Sequence, residues 1–177
     1  MKMQDSCEIK ASREVVFQAL LDPEVLKDCI SGADMITGNV SEGYEAVVTQ
    51  KVGPVKATFK GQVEMSDIVE NERITISGSG KGGVAGFAKG GATVEIELLE
   101  PELTKLTYEV EAKVGGKLAQ LGSRIIDGFA KKMADQFFAR LQECLEESED
   151  DDSSEDNEQQ VDSKKRGWFK RLVSKAN

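Results

Sequence analysis

Residues 118–145 read LAQLGSRIIDGFAKKMADQFFARLQECL, and the architecture follows from their spacing. Leu118, Leu121, Ile125, Phe129, Met133, Phe137, Leu141 and Leu145 recur every three or four residues, the spacing that collects side chains on one side of an α-helix. At 1.5 Å per residue such a helix is on the order of 40 Å long, enough to cross a small domain. An apolar stripe of that length needs a partner, and the preceding residues supply one.

From Tyr44 to Val114 the period is two. Tyr44, Ala46 and Val48 alternate with polar neighbours; Val55, Ala57, Phe59, Val63 and Met65 do the same after the Gly53-Pro54 turn. Arg73 to Ser79, then Ala92, Val94, Ile96 and Leu98, then Leu106, Tyr108, Val110, Ala112 and Val114 continue the pattern, with turns at Asn71-Glu72 and Glu100-Pro101. Alternation with one polar side is the mark of an antiparallel sheet that is wet on one face. Upstream, Met3 to Lys10 reads as a first strand. Ser12 then stands as N-cap of a helix over 14–21, and Asp22-Pro23 opens a second short helix over 24–30 that stops at Gly32. The predicted fold is α+β: a curved antiparallel sheet wrapped around one long C-terminal helix, with two short helices after the first strand.

A curved sheet does not close tightly on a single cylinder, so a cavity is expected between helix and sheet. Its lining is apolar, which suits an apolar ligand or a filling of core side chains. The candidate lining residues are Val48, Phe59, Phe87, Tyr108, Leu118, Leu121, Ile125 and Phe129. Gly78-Ser79-Gly80-Lys81-Gly82-Gly83 satisfies a dinucleotide-binding pattern, but a strand and not a helix follows it, so the phosphate-binding reading fails. Two readings remain: strand ends bent sharply at glycine, or a flexible flap carrying Phe87 over the cavity mouth.

The 177 residues contain no histidine, which removes the commonest general base and most metal-site patterns. Glu95/Glu97 and Glu109/Glu111 lie two apart on an outward face and read as solvated surface. No nucleophile, base and orienting group converge, so no catalytic residue is assigned. Cys7, Cys29 and Cys144 are scattered and odd in number, which fits buried reduced thiols. The net charge is −9, against nucleic-acid binding. No signal peptide or apolar run long enough to span a bilayer is seen, and the cytoplasm is the expected compartment.

The charge is unevenly placed. Ten acids and no base lie between Glu146 and Asp162, while 164–177 carries six bases and no acid. Three units are therefore expected: a ligand-binding domain over 1–145, an acidic disordered tether over 146–163, and a basic amphipathic segment over 164–177. In the last, Trp168, Phe169, Leu172 and Val173 share one helical face among Lys164, Lys165, Arg166, Lys170 and Arg171. That pattern resembles an interfacial anchor for an anionic membrane, with folding back on the acidic run or docking on a protein partner as the alternatives.

Residues 51–61 (KVGPVKATFKG), 77–92 (SGSGKGGVAGFAKGGA) and 114–138 (VGGKLAQLGSRIIDGFAKKMADQFF) together resemble the family of carbon monoxide dehydrogenase G subunits, a branch of the START-like helix-grip superfamily. Residues 23–34 (PEVLKDCISGAD) fit less closely, because the family often has proline where Ser31 stands. The resemblance implies an accessory protein of a molybdenum hydroxylase such as carbon monoxide dehydrogenase, peripheral on the inner face of the cytoplasmic membrane. It implies a hydrophobic small molecule, an isoprenoid quinone, as ligand, and no covalent or metal cofactor. A pure adaptor or assembly factor that binds no ligand is the alternative.

Overall fold

The computed structural model describes residues 1–146. In chain order the elements are β1 (Lys2–Ile9), α1 (Arg13–Leu21), α2 (Pro23–Cys29), β2 (Ala33–Asn39), β3 (Gly43–Val52), β4 (Val55–Val69), β5 (Arg73–Lys81), β6 (Phe87–Glu100), β7 (Leu103–Gly115) and α3 (Ser123–Glu146). The strands form one seven-stranded sheet in the order β1-β7-β6-β5-β4-β3-β2, with every neighbour antiparallel. The tether beyond Glu146 and the basic segment 164–177 lie outside the described residues.

The early helices start where their caps dictate. The Ser12 hydroxyl accepts from the Val15 amide at 3.4 Å, and an Asp22 carboxylate oxygen accepts from the Glu24 amide at 2.9 Å. Together α1 and α2 cover one end of the sheet's inner face. There Ile9, Val16, Leu20, Val25, Ile74, Val94, Ile96 and Leu106 form the core with Leu141 and Leu145 from the C-terminal end of α3. Thr104 is the buried polar member, and its hydroxyl donates to the Ala11 carbonyl at 2.8 Å. Tyr44, also buried, donates to the Leu21 carbonyl at 2.7 Å and ties β3 to the end of α1.

One strand, β2, joins the elements expected from sequence, and two expectations change. The strand β2 has no visible alternation, because an edge strand paired only to β3 buries Ile36 alone. The long helix starts at Ser123, not Leu118: Ala119–Leu121 is a short 3₁₀ turn, and Gly122 at φ 85° breaks the path before α3. The glycine-rich stretch is regular paired strand, with Gly78 opposite Gly90 and Gly80 opposite Ala88. Only Gly82–Gly86 forms the connecting loop, so the flap reading contracts to that tip.

Candidate functional site

Burial falls along α3 from its C-terminus to its N-terminus. Leu141 and Leu145 are fully buried; Ala134, Phe137 and Phe138 pack against the core; Phe129 and Met133 are half-buried; Ile125 is 42% exposed. One apolar stripe therefore has a partner at one end and lacks it at the other. The helix comes nearest to α2, β1 and β3, and its C-terminal half packs on the core, while the inner face of β3–β7 continues past that core into a run of small residues.

A groove of about 260 Å³ lies there. Its floor is Ala46 and Val48 of β3, Phe59, Gly61 and Val63 of β4, Gly78 and Gly80 of β5, Ala88 and Gly90 of β6, and Ala112 of β7. All have the inward parity of the buried core residues further along the same strands. The core end of the sheet carries Ile and Leu at these positions, and the groove end carries Gly and Ala, so the floor drops away. At Gly61 a Cβ would stand 2.7 Å from the Gly80 Cα, and at Gly90 one would stand 2.9 Å from the Ala112 Cα. Close approach of neighbouring strands thus requires glycine at both positions. The Phe59 ring lies over Gly82, where a Cβ would meet it at 2.5 Å.

Of the eight residues expected to line the cavity, Val48 and Phe59 do. Phe129 lies half-buried on α3. Leu121 and Ile125 come together at the β3–β4 turn, within 4.0 Å and 3.6 Å of the Cβ position of Gly53, and do not line the groove. Leu118 is buried in the link before α3, its amide donating to the Ala85 carbonyl at 3.1 Å. Two expectations need correction. Phe87 has the outward parity of Lys89 and lies over Gly115, half exposed. Tyr108 is a core residue stacked on Phe138 at 4.6 Å between ring centroids.

The chemistry of the groove is apolar. Among the described residues no group of three or more Cys, Asp or Glu side chains is placed to hold a metal ion. The ionisable groups shifted most are the Cys29 thiol, which shares a hydrogen bond with Cys144 and is pushed well up by it and by burial, and Cys7, raised to about 11 by burial and then by Asp5. Neither lines the groove. A larger hollow of about 720 Å³ lies on the outer face of the sheet over Gly91, rimmed by Lys2, Gln4, Thr75, Ser77, Glu109 and Glu111. Its rim is polar, and Lys2 and Glu111 pair with each other at 2.7 Å. The groove is the better ligand site because unpartnered apolar surface, not solvated charge, gains free energy from an apolar occupant.

The family model for carbon monoxide dehydrogenase G subunits (CoxG) matches residues 6–146. The chain belongs to the CoxG family. A conserved protein from Geobacillus kaustophilus has a solved structure similar to this one at 30% identity and a TM-score of 0.78, over 84% of this chain and 97% of that chain. A START superfamily protein from Mycobacterium smegmatis, 15% identical, matches with a TM-score of 0.63 over 82% of this chain and 97% of that chain. At that identity the likeness shows the fold, which is START-like. No curated protein matches. No helix among the described residues is long and apolar enough to cross a membrane, which says nothing of peripheral attachment.

Proposed function

We propose that the chain is a membrane-associated accessory protein of a molybdenum hydroxylase of the carbon monoxide dehydrogenase type, holding a quinone or similar lipophilic ligand in the groove. It performs no catalysis; it carries the ligand between the inner face of the cytoplasmic membrane and the enzyme. The observation that carries this reading is an apolar groove over a Gly/Ala floor, in a chain whose α3 also leaves Ile125 exposed and Phe129 and Met133 only half-buried, and which belongs to the CoxG family. Evenly packed cores do not leave such surface bare without a use.

The groove, at about 260 Å³, is near the small end of the range of roughly 300–1,000 Å³ for ligand sites. It suits a quinone ring and its first isoprenoid units, with the remaining tail lying along the open end of α3. The basic segment 164–177 supplies attachment to anionic lipid. The test is to purify the full chain gently from a quinone-containing host, extract it with organic solvent, and identify lipids by mass spectrometry. Near-stoichiometric quinone supports the carrier. An empty extract with no uptake of added quinone leaves a pure adaptor.

A further inference from the structure

Three stretches of the chain, 46–63, 74–94 and 112–126, hold eight bases and no acid, while the rest of residues 1–145 holds nine bases and 22 acids. The fold brings the eight to one end: Lys51, Lys56, Lys60, Lys81, Lys89 and Lys113 on the outer face of β3–β7, Lys117 in the link and Arg124 at the start of α3. All eight are exposed, and among the described residues none makes an ion pair. The nearest acids in sequence are Glu45, Glu64, Glu72, Glu95, Glu111 and Asp127.

Six of these lysines stand directly opposite one another across the strands, as Lys51–Lys56, Lys60–Lys81 and Lys89–Lys113. Like charges placed opposite each other destabilise a sheet. A fold that retains three such pairs at one end, and none of their acidic alternatives, carries a positive field there at a cost in stability. The same end bears exposed apolar side chains. Val84, at the tip of the Gly82–Gly86 loop, is 84% exposed; Phe87 is 50% and Ile125 is 42% exposed. The groove lies toward this same end on the inner face of the sheet, its floor residues Gly80 and Ala88 being the chain neighbours of Lys81 and Phe87.

We propose that this end of the folded domain is itself a docking face for an anionic lipid bilayer, with Val84 and Phe87 entering the headgroup region and the lysines contacting lipid phosphates. Apolar tips ringed by lysine fit an interface whose depth is apolar and whose surface is negative. An acidic protein surface would use the lysines but leave Val84 without a role. The proposal rests on and deepens the carrier reading, because it brings the end of the sheet that holds the groove to the bilayer. It is separate from attachment through 164–177.

The test uses the full chain and vesicles of phosphatidylcholine with or without phosphatidylglycerol, measuring the partition coefficient by flotation. Lys60→Ala/Lys81→Ala removes one opposed pair and relieves repulsion, so the fold is kept or stabilised. At about fivefold per lysine near an anionic surface, it is expected to weaken binding to anionic vesicles roughly 25-fold. Val84→Asp is expected to weaken it about tenfold or more. Lys27→Ala/Lys105→Ala, distant from this end, is expected to leave binding unchanged. Wild-type partitioning by both Lys60→Ala/Lys81→Ala and Val84→Asp would overturn the proposal. So would intact vesicle binding with loss of the partner enzyme, which would make the occupant an acidic protein. Uptake of a quinone from neutral detergent micelles, measured on the same variants, reports on the carrier reading alone: its absence in the wild type sinks that reading and leaves the vesicle result standing.

Discussion

Replacing Ala88 and Ala112 with leucine fills the groove from its floor. The two substitutions add six carbons, and at roughly 30 Å³ each, the share of a water molecule, they take up about 180 Å³. That is most of the groove of about 260 Å³. A quinone displaced by about one isoprenoid unit loses the burial of some five methylene-sized groups. At about 0.8 kcal/mol each this is about 4 kcal/mol, or a roughly thousandfold weaker Kd. The fold should not suffer, since both side chains face open space and gain apolar contacts there. Equilibrium dialysis with a soluble short-chain quinone gives the Kd, and thermal melting checks that Tm is held or raised. A double variant that melts like the wild type and binds the quinone with unchanged Kd would refute the placement of the ligand.

Gly61→Ala pushes a Cβ to 2.7 Å from the Gly80 Cα, whereas at Gly80 the nearest atom is Phe59 Cβ at 3.6 Å. Urea unfolding should show Gly61→Ala destabilised by about 1–3 kcal/mol and Gly80→Ala near neutral. Thr104→Val leaves the buried Ala11 carbonyl without its hydroxyl donor and should cost about 1–2 kcal/mol in the same assay. With Cys7 raised to about 11, its thiolate is scarce at pH 8, and Cys29 is held still higher. Ellman's reagent should therefore label both slowly in the folded protein and all three cysteines at once in guanidinium. The sign for stability follows. The folded state keeps the Cys7 proton longer than the unfolded chain, so stability is whole below the ordinary thiol value of 9.0 and falls as pH rises toward about 11.

The elements that read most clearly from sequence are those with a repeating signal. The alternation in β3, β4, β6 and β7 and the Ser12 and Asp22 caps sit where side-chain periodicity and hydrogen-bonding chemistry place them. The start of α3 is obscured because Leu118 and Leu121 continue the helical spacing through the 3₁₀ turn, with Gly122 as the sole sign of a break. The groove is harder to read for a physical reason. Large side chains draw attention as candidate lining, yet large residues such as Tyr108 fill space and become core. A hollow is made by what is missing. Its signal is Gly and Ala at inward parity, at Ala46, Gly61, Gly78, Gly80, Ala88, Gly90 and Ala112, and that parity is fixed only once the register is known. Phe87 misleads in a similar way: flanked by glycines it reads as a flap, but one position of parity puts it on the outer face.

Whether the groove holds an apolar ligand can be read by photolabelling the full chain with a quinone analogue that carries a diazirine on its ring, followed by peptide mapping. Labels are expected on Ala46–Val63, on Gly78–Gly90 and on the Ile125–Met133 face of α3, all suppressed by excess unlabelled quinone. Labels confined to the outer hollow around Gly91, or none that excess quinone suppresses, would contradict a ligand in the groove.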